Sequence, residues 1–270
     1  MSSPLADRIR PMTLDEAVGQ KHLLSEGAPL RNIIESGIIP NLIFYGPSGT
    51  GKTTVANIIA ASTNKKLCRL NGTNASIADI RNIVAQIDTL EATNGILLYL
   101  DEIQYFNKKQ QQSLLEYIEN GSITLIASTT ENPYIYIYNA IISRSMVFEF
   151  KSLSAEDILP VLKRGLDLLN SENTSDVSCD EDTLRYIAQC GAGDVRAAVN
   201  LLESAFYISS EKINKESVGA LMPKVLGNFD RAGTVHYDML AGLQKSIRGS
   251  DPDATAFYLA KILEGGDMLG

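Results

Sequence analysis

The run Gly46-Pro47-Ser48-Gly49-Thr50-Gly51-Lys52-Thr53 constrains this chain more than any other part of it. It fits the phosphate-loop pattern G-x-x-x-x-G-K-[ST] at every defined position. The context also matches: Leu42-Ile43-Phe44-Tyr45 reads as a buried strand, and Thr53 onward, through Thr54, Val55, Ala56, Ile58, Ile59 and Ala60, reads as a helix. A strand feeding a glycine-rich turn into a helix N-terminus aims several backbone N–H groups and the positive dipole end at one place. Lys52 is then expected to reach the terminal phosphates, and the Thr53 hydroxyl to ligate Mg²⁺. The pattern predicts a nucleoside triphosphate site with Mg²⁺.

The remainder of the first half alternates strands with helices. Residues 4–20 read as an extended arm, because Pro4 and Pro11 disfavour helix, with a short turn at the capping-box spacing of Thr13 to Glu16. A helix is expected over Pro29–Ser36, stopped by Gly37. Strands are expected at Lys66–Asn71, Ile96–Glu102, Ile123–Ser128 and Met146–Phe150, and helices at Ile77–Leu90 and Gln110–Asn120, with Leu114, Leu115 and Ile118 facing inward. That order predicts a parallel sheet in a three-layer αβα domain. After Lys151 helices alone are expected. Ser154 opens one to about Asn170, kinked or delayed by Pro160; Asp180, Asp194 and Asn214 cap three more, the last ending before Pro223. From Lys224 the chain turns polar and then helical again at Asp251–Leu263, with no closing element visible over Gly265–Gly270. The expected domains are therefore 1–152, 153–223 and the start of a third at 224–270.

Asp101-Glu102 closes the apolar run Ile96–Leu100, which puts two carboxylates at the sheet edge that carries the phosphate loop. Asp101 is expected to hold Mg²⁺ and Glu102 to act as the general base on the attacking water.

With 270 residues, 44% hydrophobic and 21% charged, the composition is that of an ordinary globular protein. No apolar run approaches the roughly 18–20 residues of a membrane helix, so a cytoplasmic location without membrane contact is the default. Cys68, Cys179 and Cys190 are too few and too widely spaced for a disulfide framework or zinc site, and only His22 and His236 are available as imidazole ligands. The net charge of −8 argues against a surface built to wrap nucleic acid, while allowing a local basic face.

With these motifs in hand, the chain resembles the AAA+ ATPases, in their clamp-loader and Holliday-junction-motor branch, over about residues 4–222. The resemblance implies an AAA+ αβα domain followed by a small all-α lid. It implies a polar γ-phosphate sensor at Thr130, with Thr129 the alternative, in Ser128-Thr129-Thr130-Glu131-Asn132-Pro133. It implies an arginine finger at Arg144 in Ser143-Arg144, reaching a neighbouring subunit and worth ~10³–10⁵ in rate. Arg196 in Gly193-Asp194-Val195-Arg196 resembles the second sensor of the lid. Val18-Gly19-Gln20 resembles the segment lining the adenine pocket, and Asn71 the polar residue that holds the catalytic glutamate until a ligand releases it.

The tail narrows the resemblance. Phe229-Asp230-Arg231-Ala232-Gly233-Thr234-Val235-His236-Tyr237-Asp238 and Lys245-Ser246-Ile247-Arg248-Gly249-Ser250-Asp251-Pro252-Asp253-Ala254 are similar to the segment after the lid in the RarA/MgsA family, the bacterial relatives of Werner-helicase-interacting protein. Pro4–Pro11 and Thr130-Glu131-Asn132-Pro133 fit the same family. Membership implies DNA-stimulated ATP hydrolysis at stalled or gapped replication forks. It also implies binding to single-stranded DNA ends and single-stranded-DNA-binding protein, a nucleoid-associated location, and a homotetramer held by a C-terminal helical domain. Clamp-loader subunits and branch-migration motors share the site motifs. A non-hydrolysing AAA+ scaffold is disfavoured by Glu102, Arg144 and Arg196; a GTPase is disfavoured because Asn107-Lys108-Lys109-Gln110 lacks the acid of the guanine motif. One departure is Tyr134-Ile135-Tyr136-Ile137-Tyr138, which alternates like a strand and is read as core packing in preference to an aromatic face for DNA.

Overall fold

Apolar segments that alternate their side chains between two faces become one parallel sheet when both faces are covered. In the computed structural model, which describes residues 3–87, 89, 94–174, 176–209, 211–221 and 234–264, five segments do this. They are β1 (Asn41–Tyr45), β2 (Lys66–Asn71), β3 (Ile96–Asp101), β4 (Ile123–Thr129) and β5 (Ser145–Glu149), paired in the order β2-β3-β4-β1-β5. Leu97 and Tyr99 pack on one side with Phe44, Ile126 and Phe150. Leu98 and Leu100 pack on the other with Ile43, Leu125 and Ala127.

Helices cover both faces. The chain opens with α1 (Leu5–Arg8), α2 (Lys21–Leu24) and α3 (Pro29–Ser36). Leu30 and Ile34 of α3 join the first face, and Gly37 stops that helix in the left-handed region at φ 71°. Val55 and Ile59 of α4 (Lys52–Ser62) pack on the same face. The second face is covered by Ile80 and Ile83 of α5 (Ile77–Val84), and by Leu114, Ile118 and Ile141. Around them lie α6 (Lys108–Gln112), α7 (Leu115–Glu119), α8 (Pro133–Tyr136) and α9 (Asn139–Ile142). This is the three-layer α/β architecture that the sequence predicts, with the loop after β1 and the acids after β3 at one sheet edge.

Four helices follow: α10 (Ala155–Asn173), α11 (Glu181–Cys190), α12 (Val195–Ile208) and α13 (Lys215–Leu221). Ser154, Asp180 and Asp194 accept from the backbone N–H groups of Asp157, Thr183 and Ala197 at the starts of the first three. By contact the chain divides into two units, Met1–Val218 and Gly219–Gly270. The second contains α14 (Thr234–Arg248) packed on α15 (Pro252–Glu264). Among the described residues no helix is long and apolar enough to cross a membrane.

Several expectations need correction. The arm is not wholly extended: Pro4 sits before α1 rather than inside it, and its carbonyl accepts from the N–H of Asp7 and Arg8. This turn is anchored on α12, where Arg8 pairs with Glu203 at 2.9 Å and also with Glu172 of α10. The helix expected over 110–120 is two helices, tightened between them by the N–H of Leu114 donating to Gln111 O at 3.2 Å; Leu115 is only half-buried. Tyr134–Tyr138 is not a strand. Asn132 caps Tyr134 N and Pro133 starts α8, and these local signals override the alternation. Tyr134, Ile135 and Tyr136 are 63%, 72% and 48% exposed, so only Ile137 of that run is core. Helix α10 starts directly after Ser154 and runs through Pro160, so the proline does not delay it. The region after Lys151 also holds a two-residue parallel pair, β6 (Ser178–Cys179) with β7 (Lys212–Ile213). Helix α14 lies in a stretch read as polar. Asp88, Leu90, Pro223 to Gly233 and Gly265–Gly270 lie outside the described residues.

Candidate nucleotide-binding site

The phosphate loop leaves β1 through a gap that only glycine fits. Gly46 has φ 138°, and a Cβ there would stand 1.9 Å from the carbonyl oxygen of Phe150. Gly51 takes φ 99° as N-cap of α4. Among the described residues the backbone N–H groups of residues 48–54 meet no hydrogen-bond acceptor. Buried N–H groups are normally paired, so a run of unpaired amides at a helix N-terminus is a cradle for an anion. Lys52 projects into it, only 8% exposed, with Nζ donating to the carbonyls of Gly46 at 2.6 Å and Pro47 at 2.7 Å. Burial lowers its pKa, an effect opposed by Glu102, Asp101 and Asp194. Gly46 and Pro47 thus hold the lysine by their carbonyls. Ser48, Gly49, Thr50, Gly51, Thr53 and Thr54 line the cleft beside it. An amide cradle with a buried ammonium fits a polyphosphate.

The acids lie where the strand order puts them. Asp101 ends β3 and is joined to Thr53 through a residue the sequence reading passed over. The Tyr99 hydroxyl is 2.9 Å from Thr53 Oγ1, 3.0 Å from Ser128 Oγ and 3.2 Å from Asp101 Oδ1. Ser128 also donates to Asp101 Oδ1. Burial, and then the Asp101 charge, push the Tyr99 phenol far up, so it stays neutral. Thr53 and Asp101, the two expected Mg²⁺ ligands, are therefore oriented by one hydroxyl network. Their oxygens and the unpaired amides suit a hard cation carried by phosphates.

Glu102 occupies the left-handed region at φ 54°, a conformation that costs a non-glycine residue of order 1 kcal/mol or more. Gly72 makes room for it: a Cβ on Gly72 would lie 2.1 Å from Glu102 O. Asn71 does not hold this glutamate. Its Oδ1 accepts from Thr73 N at 2.9 Å and Thr73 Oγ1 at 2.6 Å, closing its own turn, while Gln104 Nε2 donates to Glu102 Oε2 at 2.6 Å. Asparagine ending a strand before a glycine suits such an Asx turn. Of the two threonines, Thr130 lines the cleft; Thr129 is fully buried and accepts from Glu131 N.

The opposite wall combines the arm with α10 and α12. Val18, Leu24, Leu153, Val161 and Val199 line it, with Ala6, Ile9, Arg10 and Pro11 from the arm, which sequence reasoning did not place there. Gln20 lines the cleft but uses its amide internally. Its Nε2 donates to Thr50 O at 3.2 Å and Lys151 O at 2.7 Å, and its Oε1 accepts from Lys151 N at 2.9 Å. It is a brace between the phosphate loop and the exit of β5. Gly19, at φ 66°, packs on Leu153. Arg196 faces the cleft from the first turn of α12, and Val195 N donates to Gly49 O at 3.2 Å, tying that turn to the loop. Arg144 is not in this cleft. It is a surface residue paired with Glu119 at 2.8 Å, and its Nη1 donates to Ala140 O.

Comparison with known proteins agrees with this geometry. Residues 42–153 match the family described as ATPase family associated with various cellular activities (AAA), and residues 172–248 match the AAA C-terminal domain. Replication-associated recombination protein A of Haemophilus influenzae is 39% identical over 98% of this chain and 61% of its own length. The protein of that name from Escherichia coli K12 is 38% identical over 98% and 62%. The chain thus spans about six-tenths of the length of these curated relatives. A solved structure of the Thermotoga maritima RuvB Holliday junction branch migration motor superposes with a TM-score of 0.65 at 23% identity, covering 89% of this chain and 80% of that one, which supports the fold alone. Residues 42–153 thus form a domain of the AAA family of ATPases, in a chain that is similar along nearly its whole length to the replication-associated recombination proteins A.

Proposed function

We propose that this chain binds ATP with Mg²⁺, hydrolyses it to ADP and phosphate, and couples that cycle to DNA replication, recombination and repair. One observation carries the reading: a single cleft gathers the unpaired amides of residues 48–54, Lys52, Asp101, Glu102, Thr130 and Arg196. The amide cradle and Lys52 bind the β- and γ-phosphates. Thr53 and Asp101 would hold Mg²⁺, whose charge offsets that of the phosphates. Glu102 takes the proton of the water whose oxygen bonds to the γ-phosphorus as the bridging O–P bond breaks and ADP leaves. Thr130 and Arg196 contact the γ-phosphate, and Val18, Val161 and Val199 supply apolar walls for the base. Arg144, absent from its own cleft and exposed, acts in the site of a neighbouring copy.

The names of the curated relatives, replication-associated recombination protein A, support replication and recombination as the setting of this work; single-stranded ends, gaps or forks are the DNA we assign to it. On that reading the partners are DNA, single-stranded-DNA-binding protein and further copies of the chain as a tetramer, at the nucleoid. The working modules are 1–152, 153–223 and the start of an oligomerisation domain at 224–270. The test is ATP turnover with and without single-stranded and forked DNA. Stimulation by either is expected. Turnover indifferent to every DNA sinks the DNA assignment and spares the ATPase; no turnover under any condition sinks both.

A further inference from the structure

Gln104 touches the expected general base, and neither the motifs nor the comparisons give it a role. It follows Glu102 by two positions, in the 3₁₀ turn Ile103–Tyr105. Its one amide nitrogen has two N–H groups and two acceptors: Glu102 Oε2 at 2.6 Å and Thr130 Oγ1 at 3.4 Å. Both acceptors line the cleft, and Gln104 does not. The contact to Glu102 is a charge-assisted bond of the strong class, while the one to Thr130 is long. The Oε1 of Gln104 is buried and has no hydrogen-bond partner. An unmet buried acceptor is costly. Rotating the amide by half a turn would not cure this, because the oxygen would then face the Glu102 carboxylate. The ionised carboxylate therefore fixes which way the amide points.

We propose that Gln104 is a positioning residue: it holds the Glu102 carboxylate toward the water it activates and sets the spacing between Glu102 and Thr130. The proposal rests on the hydrolytic reading of the cleft. The backbone alone leaves the Glu102 side chain free. Its left-handed φ and the close approach of Gly72 fix only where the side chain begins. A general base must lie within hydrogen-bond reach of its proton, so a donor that restricts the carboxylate acts on turnover and not on binding.

The experiment uses the full chain with Gln104→Met, which keeps length and apolar bulk without donors, Gln104→Glu, which opposes Glu102, and Gln104→His, which keeps an N–H donor. Affinity for a fluorescent ATP analogue with Mg²⁺, melting temperature and steady-state turnover are read for each, beside Glu102→Gln. Gln104→Met is expected to lower kcat about 10- to 100-fold with KM, affinity and melting temperature within about twofold or 2 °C of the parent. Gln104→Glu should fall at least as far, and Gln104→His should recover most of the rate. Gln104→Met at the parental kcat, or an equal loss of affinity and rate, overturns the positioning role. An active parent with an inactive Glu102→Gln would then leave the hydrolytic reading standing. A parent without turnover overturns both.

Discussion

Substituting Gly49 probes the seam between the phosphate loop and α12. Gly49 has φ 64°, and a Cβ there would sit 1.9 Å from Asp194 Oδ1 and 2.1 Å from its Cγ. That carboxylate is the N-cap of α12, accepting from Ala197 N at 3.0 Å. Gly49→Ala therefore has two costs. Left-handed φ costs an alanine about 1 kcal/mol, and displacing the Asp194 carboxylate breaks a cap worth about 1 kcal/mol, for a total near 2 kcal/mol. Asp194→Ala alone loses the cap, about 1 kcal/mol. The double variant retains the backbone cost and loses the same cap, again about 2 kcal/mol. The singles sum to about 3 kcal/mol against about 2 for the pair, a coupling near 1 kcal/mol, or about 2–4 °C in melting temperature for a unit of this size. Urea denaturation of the four nucleotide-free proteins, followed by circular dichroism, measures it. Gly46→Ala serves as control, because its Cβ meets the Phe150 backbone carbonyl and no side-chain deletion relieves it. Additivity of Gly49→Ala and Asp194→Ala within about 0.3 kcal/mol would refute the contact.

Other perturbations have equally defined outcomes. Gln20→Ala removes three hydrogen bonds at a residue 6% exposed and should destabilise the fold by about 2–3 kcal/mol, read as a shift in urea midpoint; less than 0.5 kcal/mol would contradict the brace. Arg144→Ala should leave ATP affinity within about twofold and change stability by under 1 kcal/mol, since an exposed ion pair contributes little, while turnover collapses; parental turnover would end its assignment as a finger in trans. At acid pH the cap of α11 should fail. Hydrogen bonds from Thr183, then Lys212, hold the Asp180 carboxyl down at about 2 from an ordinary 3.8. A depressed carboxyl contributes stability that is fully present above its unfolded pKa and is lost as pH falls through its folded one. The parental protein should therefore lose stability relative to Asp180→Asn between about pH 4 and 2, and parallel acid profiles would contradict this.

What the sequence made legible was whatever is written locally. The strands Lys66–Asn71 and Ile96–Asp101, and the helix Pro29–Ser36 with its Gly37 stop, follow from apolar runs, caps and glycine. The loop-to-helix geometry and the two acids at one edge follow from the strand order that those runs imply. What escaped depends on partners far along the chain. Gln20 gives no sign, in its own neighbourhood, of bonds to Thr50 and Lys151, and Tyr99 looks like one more apolar strand residue until its hydroxyl meets Thr53, Ser128 and Asp101. The assignment of Asn71 failed because a local turn took its side chain first. Tyr134–Tyr136 failed because two-residue alternation was weighed above an Asn-Pro helix start, and that start is itself a sequence signal.

If the cleft is a hydrolytic ATP site in which Glu102 activates water, replacing that carboxylate must stop the chemistry and spare binding. The most direct measurement is a single-turnover assay with γ-labelled ATP on the full chain and on Glu102→Gln at equal nucleotide occupancy. Glu102→Gln is expected to bind Mg²⁺-ATP as the parent does and to release labelled phosphate at least 100-fold more slowly. Release at the parental rate from Glu102→Gln would contradict it.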